Sequence, residues 1–340
     1  MYNTDSLSSN THPRSAQATI IICVCLTLLL ALGAAYLGLR AGYGGIPLIA
    51  TMVTFASLLL SYFLLGTVSA ADKLSAYLTA KPKSLFAITS ALFLLYLIYA
   101  VGTNTFQLAS AVKILAYIFA PTAVIFFAGR GPQSLTWQDV LVISMLWLPL
   151  DFRWTMDSWR WPRGQAAYAF NSLLVVNLGV ALFISYRKLE DAGYRFRLRQ
   201  VDIREGLFNF FLFAAIGLPL GYALNFIAYN HRALSIVAFL LSVSGIFLFI
   251  AIPEELLFRG IIQNLLQKTF KRPYVALIIS ALIFGAAHLN NGQPQPNWRY
   301  FLPASIAGVF YGLAFMRARS LIAPAIVHTL VDMLWGAFFR

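Results

Sequence analysis

The chain has 340 residues, of which 60% are hydrophobic and only 11% are charged, and its mean hydropathy is +0.74. Soluble domains contain about 25% charged residues, so this composition excludes an ordinary soluble enzyme and predicts an all-α, polytopic transmembrane helical bundle. The formal net charge is +13. In a membrane protein this excess indicates basic loops that set topology and contact membrane lipids. We expect no nucleic-acid partner, because no soluble basic domain remains to carry one.

Apolar segments of about 20 residues predict about ten membrane spans. The first is too long for the apolar part of a secretory signal, which has about 7–15 residues, so we interpret it as a retained span after a polar start over residues 1–15. Residues 140–150 are too short for an ordinary crossing, and the sequence leaves open whether they cross. The predicted spans lie near residues 17–39, 45–70, 85–102, 105–129, 166–186, 207–229, 233–253, 274–289, 301–316 and 321–338.

The largest basic loop, from Arg187 to Arg204, is predicted to face the cytoplasm of a cell, with the protein in the plasma membrane. Counting spans onward places residues 259–272 and 317–319 on the same side, and residues 230–232 and 290–299 on the opposite side. In the first half this alternation requires residues 140–150 to cross. The basic loop also suggests two domains, an accessory transmembrane region over 1–204 and a second region over 205–340 that contains most of the intramembrane ionisable groups.

Intramembrane acids and histidines are concentrated in the last 90 residues. Nine of the twelve acidic residues lie in or beside predicted loops, and the remaining three are Glu254, Glu255 and Asp332. Two of the four histidines, His288 and His328, end or interrupt apolar spans. Ionisable groups at membrane depth are costly and usually functional, so this cluster is the strongest indication of a site.

The spacing of these residues predicts which of them share a helix face. Glu255 and Arg259 are one turn apart and can form an ion pair, whereas Glu254 points about 100° away and stays free of it. Pro253 is typical of the first turn of a helix and predicts that a helix begins there. His328 and Asp332 are also one turn apart, so the carboxylate can orient the imidazole.

Three interpretations follow from these residue types. A carboxylate and an imidazole can activate water, with a second histidine stabilising the oxyanion. Alternatively, Glu254, His288 and His328 can hold a divalent ion such as Zn²⁺, although no His-Glu-x-x-His motif is present. The third interpretation is structural, with the polar groups only pairing between helices. Five or six such groups favour a functional site over the structural interpretation.

Three motifs in this order resemble the CPBP family of intramembrane proteases, which includes the CAAX prenyl endopeptidases and proteins linked to bacteriocin processing and abortive infection. The resemblance covers roughly residues 205–338. Each motif lies inside or at the end of an apolar segment, and together they are specific. The motifs are Glu254-Glu255-x-x-x-Arg259, Phe284-x-x-x-His288 and His328-x-x-x-Asp332.

The resemblance implies a role for each of these residues. Glu254 would be the general base, and His288 would help it bind and activate water. His328 and Asp332 would stabilise the oxyanion, and Glu255 with Arg259 would hold the first helix in place.

The resemblance also implies an intramembrane endopeptidase that acts on a membrane-embedded or lipidated polypeptide, including prenylated CAAX proteins. We expect that no cofactor is required, with zinc as the unresolved alternative.

Two other functions remain as alternatives. One is a non-catalytic immunity or scaffold protein of the same fold, in which the polar cluster is structural. The other is a proton-coupled transporter, against which the absence of a visible inverted repeat argues. Outside the motifs, residues 290–297 are either a gating loop or an ordinary polar turn, and Gly308-x-x-x-Gly312 predicts close helix packing.

Overall fold

The structure, a computed structural model, describes residues 13–339, with side chains from residue 17 onward. The all-α prediction is confirmed, and the predicted polar start lies outside the described residues except for 13–15. The described chain forms twelve helices apart from one short 3₁₀ turn: α1 (Pro13–Arg40), α2 (Gly45–Leu65), α3 (Val68–Ala80), α4 (Ser84–Gly102), α5 (Leu108–Ala128), α6 (Trp137–Asp151), α7 (Ala167–Tyr186), α8 (Gln200–Ala223), α9 (Ile236–Phe270), α10 (Pro273–Ala286), α11 (Trp298–Ala318) and α12 (Ile322–Phe338).

The prediction of a polytopic membrane bundle is confirmed by the length and composition of these helices. Among residues 13–339, eight helices are long and apolar enough to cross a membrane, namely α1, α2, α4, α5, α7, α8, α9 and α11. Helices α10 and α12 are apolar but shorter. The predicted span over 45–70 is too long, because α2 ends at Leu65 and α3 follows as a separate helix. The span predicted over 207–229 begins earlier, at Gln200, and ends at Ala223.

Helix α6 contains residues 140–150 and makes polar contacts near both of its ends. Near its N-terminus, buried Asp139 pairs with Arg187 of the basic loop. At its C-terminus, Asp151 accepts a hydrogen bond from Asn290, which follows α10. Arg187 and Asn290 are predicted on opposite sides, so these contacts agree with the alternation of loops, and a crossing by α6 stays a prediction. Its 15 residues rise about 22 Å, less than an ordinary crossing.

Helix α9 corrects the prediction of a helix that begins at Pro253. The helix runs without interruption for 35 residues and contains Pro253 in its interior. Proline removes a backbone donor and clashes with the preceding turn of a regular helix. Wider π-helical turns over Phe247–Ala251 and Leu256–Gln263 lie on either side of it, as is common where a helix accommodates such a residue. The predicted loop over 259–272 therefore begins only after Phe270, and Arg259 lies about three turns inside the helix.

The second half of the bundle surrounds the polar part of α9. Helix α10 packs along α11, and α8 packs against both α11 and α12. Helix α9 contacts α10 on one side and α12 on another. This arrangement brings the three sequence motifs, carried by α9, the end of α10 and α12, toward one interior.

Candidate active site

The predicted ion pair between Glu255 and Arg259 is present in the interior of α9. Both side chains have no exposed surface, and the distances from Arg259 Nη1 to Glu255 Oε1 and from Nε to Oε2 are both 3.2 Å. One helical turn separates the two residues, so the pair forms on one face without any long-range constraint. A buried charge is tolerated only when it is paired and hydrogen-bonded, and this pair meets the first requirement locally.

Arg259 also receives support from α10 and α11. Its Nη2 donates to the carbonyl oxygen of Gly308, 3.1 Å away. Its guanidinium lies 4.4 Å from the ring centre of Phe284 and 5.1 Å from that of Tyr311. These aromatic faces stabilise a desolvated cation. Arg259 therefore ties α9 to two other helices as well as to Glu255.

The predicted close packing at Gly308 and Gly312 is confirmed. A Cβ atom at Gly308 would lie 3.0 Å from the Cα atom of Ala281, which leaves no room for a side chain. With no side chain to cover it, the buried backbone at these glycines also accepts hydrogen bonds. Gln263 Nε2 donates to the Gly312 carbonyl oxygen at 3.3 Å, and Arg259 Nη2 donates to that of Gly308. The two glycines thus let α11 approach closely enough to bind polar side chains of α9.

His328 on α12 is oriented by Glu255 rather than by its helical neighbour Asp332. The Nδ1 atom of His328 lies 2.8 Å from Glu255 Oε1, and the imidazole is buried. The other ring nitrogen, Nε2, faces Asp332 Oδ2 at 3.6 Å and Glu254 Oε2 at 3.8 Å. Glu254 and Asp332 keep 28% and 34% of their side-chain surface exposed. Three carboxylates from two helices therefore surround one imidazole.

His288 occupies a separate position just beyond the end of α10. Its Nδ1 lies 2.8 Å from the carbonyl oxygen of Phe284, and its ring packs against Phe284 and Tyr300, with 4.7 Å between centres in each case. A carbonyl can only accept, so Nδ1 carries the proton and Nε2 of the neutral ring is an acceptor. Among residues 13–339 no hydrogen bond joins His288 to Glu254, although the sequence predicted that the two would act together.

A cavity unites His288 with the polar cluster on α12. Its empty space is about 650 Å³ with the open mouth included. Its wall is mainly aromatic and aliphatic, and His288, His328 and Asp332 contribute the polar groups among an otherwise apolar lining. The carboxylate of Glu254 lies beside these polar groups, 3.8 Å from His328 Nε2. The cavity is formed by α8, α11, α12 and the end of α10.

Sequence reasoning missed two sets of supporting contacts. Tyr311 stacks on His328, with ring centres 4.9 Å apart and planes inclined by 22°. The sequence did contain a signal for it. Tyr311 follows Gly308 by three residues, so the two share the close-packed face of α11. The second set comes from α6, where Trp147 packs edge-on against Phe258, with 5.5 Å between centres. Nothing in the sequence indicated this contact.

The arrangement does not assemble the ligand set of the zinc alternative. In the part of the chain that the structure describes, no group of three or more His, Cys, Asp or Glu side chains is placed to hold a metal ion. The Nδ1 atoms of both His288 and His328 are engaged, by a carbonyl and by Glu255, which leaves each Nε2 free, as in metal-ligating histidines. The zinc alternative for Glu254, His288 and His328 therefore stays a prediction.

The fold and the cluster together define a polytopic helical membrane protein with carboxylates and imidazoles gathered beside an internal cavity. Comparison with protein families gives a more specific assignment. Residues 236–334 match the family described as "Rce1-like: Type II CAAX prenyl endopeptidase Rce1-like". The match covers less than a third of the chain, and it supports the resemblance of the three motifs to a family of CAAX proteases. Neither the curated proteins nor the solved structures contain a match to the chain.

Proposed function

We propose that the protein is an intramembrane endopeptidase that uses Glu254 to activate the hydrolytic water. The observation that carries this proposal is the convergence of Glu254 and Asp332 on His328 Nε2, beside a cavity that also contains His288. The gaps of 3.6 and 3.8 Å are longer than direct hydrogen bonds but too short to hold a water between the atoms, so the proposed water lies beside them, within reach of both Glu254 and His328. A water held there has a carboxylate available as proton acceptor.

The proposed reaction begins when the water oxygen attacks the carbonyl carbon of the scissile peptide bond. Glu254 takes the proton of that water, and the carbonyl oxygen becomes an oxyanion. His328 is placed to donate to this oxyanion through Nε2–H when its ring is protonated. Collapse of the intermediate breaks the C–N bond, and Glu254 returns the proton to the leaving amine. The mechanism has no metal step.

Asp332 and His288 have different proposed parts in this scheme. An ionised Asp332 can accept but not donate a hydrogen bond, so its part is electrostatic, with its charge 3.6 Å from His328 Nε2. Only a protonated Asp332 can donate to the oxyanion. His288 carries its proton on Nδ1 toward Phe284, which leaves Nε2 to accept a hydrogen bond from water. In this proposal His288 therefore orients the water, and His328 stabilises the oxyanion.

Glu255 and Arg259 are proposed as positioning residues that do not touch the substrate. Glu255 accepts hydrogen bonds from both Arg259 and His328, and this bridge sets the tautomer and the orientation of the imidazole. A carboxylate at Nδ1 places the reactive nitrogen, Nε2, toward the cavity side. The ion pair thus has a purpose beyond fixing α9.

We further propose that the substrate is a membrane-associated polypeptide, including prenylated CAAX proteins. The largely apolar lining of the cavity supports a substrate with apolar surface. Residues 1–204 act as an accessory region to the catalytic region over 205–340. Helix α6 supports this division of roles, because Asp151 binds Asn290 two residues after His288 and Trp147 packs against Phe258.

The test is cleavage of a prenylated CAAX reporter peptide by the purified protein in proteoliposomes. General acid–base groups contribute about 10²- to 10⁴-fold, so Glu254→Gln is expected to lower kcat at least a hundredfold while its thermal unfolding matches the wild type. Glu190→Gln, an exposed carboxylate in a loop, is the matched control and keeps full activity. A folded Glu254→Gln protein with full activity contradicts the mechanism. If the wild type does not cleave the reporter and Glu254→Gln lowers the thermal stability, the cluster is structural and the protein is a scaffold.

A further inference from the structure

A tyrosine on α11 places a hydroxyl in the active-site cavity that the proposed chemistry does not use. Tyr300 lies in the first turn of α11 and lines the cavity together with His288, His328 and Asp332. Its backbone N–H donates to the Asn297 side chain at 3.1 Å, which caps the helix and fixes this turn. Within residues 17–339 the Tyr300 hydroxyl makes no hydrogen bond, and it keeps accessible surface. It is therefore a donor without an acceptor.

Aromatic contacts hold the Tyr300 ring beside the polar groups of the cavity. Its ring centre lies 4.7 Å from that of His288 and 5.4 Å from that of Trp335. Trp335 follows Asp332 by three residues on α12, so Tyr300 packs against the turn that carries Asp332. The charges of Asp332 and Glu254 both act on the Tyr300 hydroxyl. Tyr300 thus lies between His288 and the partly exposed carboxylates of the site.

The proposed peptidase reaction is short of hydrogen-bond donors at this position. An oxyanion carries negative charge, and enzymes stabilise it with a set of fixed donors, among which tyrosine side chains are found. Glu254 and an ionised Asp332 can only accept, and His288 offers Nε2 as an acceptor. His328 is the only donor in the mechanism, and its Nε2 also faces both carboxylates. A second donor in the cavity wall therefore supplies what the reaction needs.

Tyr300 suits this part better than the two other neutral side-chain donors of the cavity wall. Tyr311 has its ring stacked on His328, and only 2% of the residue is exposed, so little of it can reach a substrate. Trp335 follows His328 by seven residues, about two turns along α12, which places its backbone about 10 Å farther along the helix. Tyr300, in contrast, is partly exposed and packs against His288, the residue proposed to orient the water.

We propose that Tyr300 is a further catalytic residue, whose hydroxyl donates a hydrogen bond to the oxyanion of the tetrahedral intermediate. This inference rests on the proposed function of the cavity as a peptidase site. The water oxygen bonds to the carbonyl carbon, Glu254 takes the water proton, and Tyr300 and His328 donate to the carbonyl oxygen as it gains negative charge. Collapse restores the C=O bond and breaks the C–N bond, and Glu254 returns the proton to the leaving amine. The Tyr300 proton stays on its own oxygen throughout, as expected of a phenol at neutral pH.

Tyr300→Phe tests this role because it removes the hydroxyl and keeps the ring that packs on His288. The hydroxyl has no hydrogen-bond partner within residues 17–339, so the thermal unfolding of the variant should match the wild type. Loss of one oxyanion donor lowers kcat about 10²- to 10³-fold, so cleavage of the prenylated CAAX reporter in proteoliposomes should fall by that factor. KM should stay within about twofold, because the hydrogen bond strengthens only in the transition state. Tyr229→Phe is the matched control and keeps full activity, since Tyr229 is 66% exposed and lies outside the cavity wall.

A second variant separates hydrogen-bond donation from packing. Replacement of Tyr300 by difluorotyrosine keeps the ring and the hydroxyl but makes the phenol more acidic, so that it loses its proton at a lower pH. A phenolate cannot donate to the oxyanion. The alkaline limb of the profile of kcat against pH should therefore move to lower pH in this protein, whereas a ring that only packs leaves that limb in place.

The outcomes distinguish this inference from the proposed function on which it rests. The role of Tyr300 is overturned if Tyr300→Phe keeps the kcat of the wild type, or if the difluorotyrosine protein keeps the pH profile of the wild type. In either case, cleavage by the wild type and its loss in Glu254→Gln leave the proposed function standing. If the wild type itself does not cleave the reporter, the proposed function and the role of Tyr300 are both overturned.

Discussion

Replacement of Arg259 by methionine is the sharpest test of how the active site is held together. Methionine keeps the length and the apolar stem of the side chain but removes the charge. Glu255 then remains fully buried, with His328 as its hydrogen-bonding partner. The Gly308 carbonyl also loses the hydrogen bond that now reaches it from Arg259 at 3.1 Å.

The expected cost follows from the burial of this pair. Removing one partner of a buried ion pair costs about 3–5 kcal/mol, because an uncompensated charge is left in the interior. A second variant, Arg259→Met with Glu255→Gln, removes both charges and keeps an acceptor for His328 Nδ1. This double variant is expected to be more stable than Arg259→Met alone by about 1–3 kcal/mol.

The measurement is the free energy of unfolding in mixed micelles of a neutral detergent and sodium dodecyl sulfate. Arg317→Met is the matched control, because Arg317 also pairs with a glutamate, at 3.4 Å, but is 48% exposed. Exposed pairs contribute about 0–1 kcal/mol, so this control should change little. The reasoning is refuted if Arg259→Met costs no more than the control, or if the double variant is less stable than the single one.

Four further predictions use the same assays. Gly308→Leu should destabilise the protein strongly because its side chain meets Ala281, whereas Gly245→Ala, with nothing within 4 Å, should change the unfolding free energy by less than about 1 kcal/mol. Tyr311→Leu removes the ring stacked on His328 and should lower kcat about tenfold or more with KM little changed; equal kcat would contradict a positioning role. Asp151→Ala should lower kcat by loosening the loop after His288, and Asp151→Asn should restore part of it; loss in both or in neither would argue against that link. A strong chelator should leave cleavage unchanged, and inhibition reversed by added zinc would contradict a metal-free mechanism.

Local geometry explains which parts of the site were predictable from the sequence. Glu255 and Arg259 pair because they are one turn apart on a helix, and any helix through this segment brings them together. The same holds for the shared face of His328 and Asp332. The small residues Gly308 and Gly312 likewise indicated a close helix contact before any fold was known.

Local rules also produced the main error. Proline is common in the first turn of a helix, so Pro253 alone led to the prediction that a helix begins there. The apolar sequence on both sides favours a continuous helix inside a membrane, where broken backbone hydrogen bonds are costly. The structure keeps the helix and accommodates Pro253 with π-helical turns on either side.

The sequence by itself determined the class of protein, the approximate spans and the polar residues that need partners, because hydrophobic length and intrahelical spacing are local properties. Only the tertiary structure decided which partners they find. Glu255 binds His328, 73 positions away, and Asp332 does not take that place. Helix α6 pairs with Arg187 through Asp139 and reaches the loop after His288 through Asp151. Such contacts depend on the rotation and depth of each helix, which the packing of the whole bundle sets and no single segment encodes.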